Sequence, residues 1–185
     1  MEALFKQLHP ALHWFCMQYV KQKEDADEIV NDAFISLWEK RDTINFDLSI
    51  KSYLYTIVKN KSLNHLKKKN ILIDSDDAES YHIISNEISP LQKIESKEME
   101  QLIFKSIDKL PRKCRQIFIL SRKEQMSHKE IAQIMDINIK TVENQITIAI
   151  KNIKSHIQKN ESLTNTKDKP YNLSLLIFIL LDNFY

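Results

Sequence analysis

Residues 126–153 read Met126-Ser-His-Lys-Glu-Ile-Ala-Gln-Ile-Met-Asp-Ile-Asn-Ile-Lys-Thr-Val-Glu-Asn-Gln-Ile-Thr-Ile-Ala-Ile-Lys-Asn-Ile153, and this stretch decides the fold. Its pattern is two short amphipathic helices joined by a tight turn. Ser127 stands where it caps the first helix, and Glu130, three residues on, completes a capping box. Ile131, Ala132, Ile134 and Met135 form the apolar side of that helix. Asp136-Ile137-Asn138 makes the turn, and Asn138 is positioned to cap the second helix. There Val142, Ile146, Ala149, Ile150, Ile153 and Ile157 recur at helical spacing and face inward. Lys140, Thr141, Glu143, Asn144, Gln145, Thr147 and Lys151 are left outside. Those residue types reach base edges and phosphates in a major groove. The outline is that of a DNA-binding helix-turn-helix. The same polar face also suits a surface helix of an ordinary bundle.

The rest of the composition agrees with an all-helical protein. The chain has 185 residues, enough for one domain or for two small ones with modest cores. It contains no glycine and four prolines. β-rich folds and phosphate-binding loops need residues at positive φ, which glycine supplies, so both are disfavoured. Cys16 and Cys114 are far apart, which suits a reducing cytoplasm and offers no disulfide framework or zinc ribbon. The N-terminus leads into an amphipathic helix rather than an apolar run, so no signal peptide is expected. A formal charge of +2 conceals strong patterning. Residues 1–50 carry −4, 51–70 carry +6, 71–100 carry −6, 101–160 carry +7 and 161–185 carry −1. Two basic segments separated by an acidic one are the footprint of two contacts with a polyanion, although charge blocks are also ordinary solvated faces.

Outward from the helix-turn-helix, residues 3–22 place Leu4, Leu8, Leu12, Phe15, Tyr19 and Val20 on one side of a helix. Over residues 25–40, Ala26, Ile29, Val30, Ala33, Phe34, Leu37 and Trp38 form an apolar stripe. Asp27, Glu28, Asn31, Asp32, Ser36 and Glu39 make the polar face. Arg41–Ser49 breaks the pattern as a loop. Residues 50–69 form a long helix ending in Lys67-Lys68-Lys69. Periodicity is lost over 70–90, an acidic and serine-rich stretch that reads as a flexible linker. It resumes over 91–108 and 112–124, on either side of Leu110-Pro111. The chain is therefore expected to hold two small helical domains, 1–69 and 91–159, with a linker at 70–90 and a tail at 160–185. Within that tail Leu173–Leu181 is apolar but about half the length that spans a bilayer, so it is expected to dock on protein rather than cross a membrane.

Three segments together resemble one family. Asp25-Ala-Asp-Glu-Ile-Val-Asn-Asp-Ala-Phe-Ile-Ser-Leu-Trp38 resembles the helix by which bacterial sigma factors bind core RNA polymerase. Lys51-Ser-Tyr-Leu-Tyr-Thr-Ile-Val-Lys-Asn-Lys-Ser-Leu-Asn-His-Leu-Lys67 looks like the adjoining helix that engages the −10 promoter element. Leu110-Pro-Arg-Lys-Cys-Arg-Gln-Ile-Phe118 followed by the helix-turn-helix is similar to the domain that reads the −35 element. The order and separation fit the extracytoplasmic-function (ECF) class of the sigma-70 family, which keeps these two domains and a linker.

The resemblance implies a site for each contact. Asp27, Glu28, Asn31, Asp32 and Glu39 would meet the clamp helices of the polymerase's largest subunit. Lys59, Lys61 and Lys67 would neutralise phosphates near the −10 element, Asn60 would contact its strand, and Tyr53 would stack on an unpaired base. Tyr53 and Tyr55 compete for that role, and one of them belongs to the core. The Arg41–Ser49 loop would pocket a flipped base, with Phe46 as its aromatic wall or as an anchor to the core. Lys129, Lys140, Thr141, Asn144, Gln145 and Lys151 would serve the −35 element. The implied partners are core RNA polymerase, promoter DNA and an anti-sigma factor, with no cofactor.

Two departures from the family pattern stand out. Asp136 occupies a turn position where the family often has glycine, and Asn64 and Lys67 stand where it often has Asp and Arg. Asp tolerates a left-handed backbone better than most residues. His9, His13 and Cys16 share a helical face, but three ligands on one helix span too far to close on one ion unaided, so no metal site is expected. No Ser-His-Asp, Cys-His or paired-carboxylate arrangement points to an enzyme. Two other readings stay open at this level. A free-standing helix-turn-helix regulator would leave residues 25–69 without a role, and a helical interaction protein would need no DNA at all.

Overall fold

The structure, a computed structural model, describes residues 2–42, 49–69 and 102–161. All regular structure among them is helical. The elements are α1 (Glu2–Met17), α2 (Lys23–Lys40), α3 (Ile50–Lys68), α4 (102–108), α5 (Arg112–Arg122), α6 (His128–Met135) and α7 (Ile139–Glu161). The linker at 70–90, most of the loop at 41–49 including Phe46, and the apolar run Leu173–Leu181 lie outside the described residues. Two compact units form. The first contains α1, α2, α3 and α6, and the second contains α4, α5 and α7. Contacts thus group α6 with α3 across the linear order of segments, and the helix-turn-helix stretch is shared between the units.

In the first unit α1, α2 and α3 pack mutually. Leu12, Phe15, Ala26, Val30, Ala33, Leu54, Tyr55 and Val58 are buried there. Phe15 meets Tyr55 edge-on at 5.0 Å between ring centroids, and Phe5 meets Phe34 at 4.8 Å. Small residues let the helices approach. Ala26 and Ala33 are wholly buried on α2, as are Ser52 and Ser62 on α3. Ser62 donates to the Val58 carbonyl at 2.7 Å, and its hydroxyl lies 3.2 Å from Cys16 Sγ. Burial pushes the Cys16 thiol up to about 11, so it behaves as an apolar filler with a weak polar contact. The helix expected over 3–22 ends at Met17. Tyr19 and Val20 N–H then both return to the Cys16 carbonyl, at 2.8 and 3.1 Å, and Tyr19 packs on Phe15.

Trp38 departs from the sequence reading. It is 53% exposed, whereas Ala26, Ile29, Val30, Ala33, Phe34 and Leu37 are buried. Each i→i+4 step on a helix advances about 40° beyond a full turn, so three such steps carry Trp38 about 120° away from Ala26. The Arg41 guanidinium covers the exposed ring at 4.5 Å while donating to the Trp38 carbonyl at 2.9 Å. It thereby places a cation at the negative end of α2.

The second unit is laced by polar contacts between buried apolar rows. Ile103, Ile107, Ile117, Phe118, Leu120, Val142, Ala149, Ile153 and Ile157 are buried. Arg115 of α5, nearly enclosed, donates to the Asp108 carbonyl of α4 at 3.0 Å and lies 3.6 Å from the Asp108 carboxylate. Cys114 reaches the Gln145 carbonyl of α7 at 3.4 Å. His156 of α7 sits 2.8 Å from Ser106 and 2.6 Å from Lys109. Ser106 already donates to the Leu102 carbonyl, so His156 donates to it through Nδ1 and accepts from Lys109 through Nε2. Burial, then the adjacent cation, holds this imidazole below its ordinary pKa.

The Phe15 ring should dominate the first unit's stability. Phe15→Ala is expected to cost about 3–5 kcal/mol, because the ring is enclosed by Tyr19 and Tyr55 and the helices cannot collapse into the void. Urea titration followed by circular dichroism should show a lowered midpoint with an unchanged slope.

Candidate nucleic-acid interface

Three helices turn chemically distinct faces outward, each opposite a buried apolar stripe. On α2, Glu28, Asn31, Asp32 and Glu39 are exposed, as the polar face read from sequence requires. Asp27 departs from them. It is half-buried at the edge of the face, 3.2 Å from His13 Nε2, which is too poorly aligned for a hydrogen bond. Asp32 is exposed but ion-paired, accepting from Lys61 of α3 at 3.0 Å. Ile35 and Trp38 share the outward side with these residues and are 54% and 53% exposed. Sequence reasoning overlooked Ile35, although its position midway between Asn31 and Glu39 on the polar face gives it away. The outward surface of α2 is therefore acidic with an apolar centre, suited to a partner that offers both cations and apolar stems.

On α3, Ser52, Leu54, Tyr55, Val58, Ser62 and Leu66 are buried. Tyr55, 1% exposed, is the core tyrosine, and Tyr53 is the half-exposed one. Tyr53, Asn60 and Lys67 recur every seven residues and so share one stripe on the side away from the core. The stripe runs about 21 Å along the helix, which is about six nucleotide steps at 3.4 Å each. Asn60 and Lys67 are exposed. Lys59 and Lys61 lie to either side of the stripe and are half-buried, with Lys61 drawn toward Asp32. Position alone could not show that two of the three lysines are turned away.

The two ends of this helix are fixed from elsewhere. At its C-terminal end Asp25 of α2 accepts from Lys69 at 2.8 Å and lies 3.0 Å from His65. The Lys69 hydrogen bond, aided by His65 and opposed by partial burial, holds the Asp25 carboxyl below its usual range. At the N-terminal end Ser49 caps the helix, its hydroxyl accepting from Ser52 N–H at 3.2 Å. No acidic residue lies in that first turn. The charge comes from α6, where Glu130 Oε1 accepts from Ser49 at 2.7 Å and Ser52 at 2.6 Å.

Glu130 also does what the sequence expected of it. Its other oxygen accepts from Ser127 N–H at 2.9 Å and the Ser127 hydroxyl at 2.8 Å, and the Ser127 hydroxyl in turn accepts from Glu130 N–H at 3.2 Å. The capping box of α6 is complete. Burial alone would raise this carboxyl, but the hydrogen bonds from Ser52, Ser49 and Ser127 outweigh it and bring it down to about 2. Past Met135, Asp136 adopts φ 56° and ψ 54°, the left-handed conformation that the missing glycine would otherwise take. The Ile137 N–H then reaches the Ala132 carbonyl at 3.0 Å. Lys129 of α6 is exposed.

On α7, Val142, Ile146, Ala149, Ile153 and Ile157 are buried and Ile150 is half-buried. Lys140, Asn144 and Lys151 are exposed on the opposite side, together with Thr147 and Ile148. Thr141 and Gln145 lie on the flank and are half-buried. Ile148, 44% exposed between Asn144 and Lys151, is a further residue that sequence reasoning missed. An apolar side chain held outward among polar ones is of the kind that can meet a thymine methyl group. Among the described residues no group of three His, Cys, Asp or Glu side chains is placed to hold a metal ion. None of the described helices is long and apolar enough to cross a membrane.

Comparison with known proteins covers both units. Residues 4–71 match the family description Sigma-70 region 2, and residues 100–153 match Sigma-70, region 4. The ECF RNA polymerase sigma-E factor of Escherichia coli K12 is 30% identical over 142 residues, spanning 72% of this chain and 74% of that protein. The ECF RNA polymerase sigma-E factor of Haemophilus influenzae is 27% identical over 144 residues, spanning 74% and 76% of the two chains. Among solved structures, the sigma factor RpoE of Bartonella quintana, in complex with the anti-sigma factor NepR, has the same fold. Its TM-score is 0.55 at 21% identity, covering 85% of this chain and 96% of that one. CnrH, in complex with the cytosolic domain of CnrY, gives a TM-score of 0.52 at 18% identity, covering 85% and 87%.

The Asp25 cluster makes a pH-dependent contribution to stability. Its folded-state pKa lies below that of the unfolded chain, so the contribution is present above the ordinary carboxylate range and is lost as pH falls through the folded value. Asp25→Asn should therefore lower the melting temperature at neutral pH and flatten the acid limb of a melting-temperature profile between pH 7 and pH 3. An unchanged slope would show that the Lys69 and His65 contacts carry no net energy.

Proposed function

Because the chain belongs to the sigma-70 family, in its extracytoplasmic-function class, it binds core RNA polymerase, recognises −10 and −35 promoter elements and initiates transcription of a specific regulon, and we propose how its surfaces divide that work. It is not itself an enzyme; the chemistry of RNA synthesis belongs to the polymerase. The proposed segments are 1–69 for core binding and the −10 element, 70–90 as linker, 91–159 for the −35 element and 160–185 as tail. The family matches over 4–71 and 100–153 support the first and third of these.

Core polymerase is met by the outward face of α2, with Glu28, Asn31, Asp32 and Glu39 as the acidic and polar contacts, Asp27 at the margin, and Ile35 and Trp38 as the apolar centre. The −10 strand is read by Tyr53, Asn60 and Lys67, with Lys59 and Lys61 adding charge at the flanks. Phe46, outside the described residues, is proposed either as the aromatic wall of a pocket for the flipped base or as the anchor of its loop to the core. The −35 element is read by α7 through Lys140, Thr141, Asn144, Gln145 and Ile148, while Lys129 and Lys151 hold phosphates. The single observation that carries the division is the stripe Tyr53–Asn60–Lys67. It puts a stacking ring, an amide and a cation in line on a helix whose other side is fully committed to the core. Stacking, strand contact and phosphate neutralisation are what capture of a melted strand needs.

An anti-sigma partner is part of the proposal, supported by the complexes in which the two structural neighbours were solved. So is a cytoplasmic location, where the polymerase works. The decisive experiment is run-off transcription with core enzyme on promoters selected from genomic DNA. Transcripts with the factor present and none with core alone are the expected result. A DNA-binding protein that never associates with core would instead support a free-standing regulator.

Core association should weaken at least tenfold in Glu28→Lys/Glu39→Lys, measured by fluorescence anisotropy, with helicity unchanged. Both side chains are exposed and have no part in the core, so unaltered affinity would remove α2 from the polymerase interface.

The two kinds of DNA contact should separate by specificity. Asn144→Ala is expected to cost about 1–3 kcal/mol on the matched −35 element and little on scrambled DNA, because an amide pairs with a particular base edge. Lys151→Ala should weaken both DNAs alike and reduce the salt slope by about one unit. Titrations of holoenzyme on matched and scrambled duplexes at several salt concentrations read both. Equal losses for Asn144→Ala on the two DNAs would mean that α7 positions the protein without reading sequence.

A further inference from the structure

Ile35, Trp38 and Arg41 follow one another at three-residue intervals at the C-terminal end of α2, and all three are exposed. Arg41 caps the helix with helical φ and ψ, so the spacing of α2 extends to it. Residues three apart are neighbours on a helix surface, and their side chains lean toward its N-terminus. Arg41 accordingly lies back over Trp38, and its guanidinium is held from three directions. Nη1 donates to the Trp38 carbonyl at 2.9 Å, Nη2 lies 3.3 Å from the Asp42 carboxylate, and Cζ stands over the indole at 4.5 Å from the ring centroid.

None of these contacts is needed to build the unit. Neither Trp38 nor Arg41 takes part in the buried core, and α2 already has a cation, Lys40, in its last turn. Exposed ion pairs and exposed cation–π contacts add little to stability. What they change is freedom. A tryptophan on an open helix surface samples several rotamers, and a guanidinium fixed by two polar contacts and laid on one ring face selects among them. With Arg41 on it the residue is still 53% exposed, so the rest of the indole stays open to a partner. Trp and Arg dominate the binding energy of interfaces, and a side chain ordered before contact does not lose that freedom on binding. Lysine would supply the charge without the planar fork that reaches a carbonyl and a carboxylate together.

We propose that Arg41 is a positioning residue for the polymerase contact: braced on the Trp38 carbonyl and on Asp42, it holds the Trp38 indole in the orientation that core polymerase receives. Arg41 acts through Trp38 and not through a bond of its own to the polymerase. The inference rests on the assignment of the outward face of α2 to core polymerase made above, and it adds a residue that lies beyond the acidic face.

Two measurements on the full chain test it. Affinity for core polymerase is read by fluorescence anisotropy. The environment of the ring is read by fluorine NMR of protein carrying fluorotryptophan at Trp14 and Trp38, with Trp38→Phe assigning the two signals. Arg41→Ala should weaken core binding about fivefold at unchanged helicity, the effect of freeing one ordered side chain. It should also move the Trp38 signal toward that of free fluorotryptophan while the Trp14 signal stays in place. Arg41→Lys restores a cation at the helix end but not the fork, and should behave as Arg41→Ala does. In a Trp38→Ala background, where core affinity is already lowered, Arg41→Ala should change it by less than about twofold. Wild-type affinity in Arg41→Ala or in Arg41→Lys would overturn the proposal, the latter by leaving Arg41 as a helix-end charge and nothing more. A full loss repeated in the Trp38→Ala background would overturn it too, by making Arg41 a direct contact. Unchanged core affinity in Trp38→Ala alone would instead overturn the reading of the α2 face, and the proposal with it, so the two failures are told apart.

Discussion

The outward surface of the first unit is set by burying one side of α3 against α1 and α2. Leu54, Tyr55, Val58, Ser62 and Leu66 face inward, and Phe15 against Tyr55 locks the rotation of the helix about its own axis. Once that rotation is fixed, the outward stripe follows with no further choice. Tyr53, Asn60 and Lys67 fall where they do because seven residues are nearly two turns. The ends are then pinned by charge, Asp25 at one and Glu130 at the other. The proposed capture of a melted strand thus rests on an apolar contact that touches no nucleic acid.

The elements whose logic is local were legible in the sequence. The Ser127–Glu130 capping box, the turn at Asp136 and the inward row Val142, Ile146, Ala149, Ile153 and Ile157 all follow from spacings of three and four residues. Trp38 was misread because a stripe followed in steps of four drifts around the helix, and by the third step it has left the buried side. Ile35 and Ile148 escaped notice because an isoleucine is assigned inward by default, although both stand on polar faces. The ion pair of Asp32 with Lys61 and the drawing of Glu130 onto Ser49 and Ser52 depend on segments distant in sequence, and no local pattern encodes them.

The two outward helix faces differ in charge, as the partners proposed for them require. The α2 face is acidic around Ile35 and Trp38, whereas the outward side of α3 carries no carboxylate at all among residues 50–69. The Asp32–Lys61 pair sits where the faces meet. A solvent-exposed pair of this kind adds at most about 1 kcal/mol to stability, so its consequence is positional. It keeps a lysine from the Tyr53–Asn60–Lys67 stripe and draws it over part of the acidic face.

Among the described residues, only Gln125 and Asp136 have positive φ, and they bracket α6. In a chain without glycine, both joints carry a Cβ, and their backbones are confined to a few separate wells rather than a broad basin. The loops that other proteins soften with glycine are here stiffer in the unfolded chain as well, which lessens the entropy lost on folding.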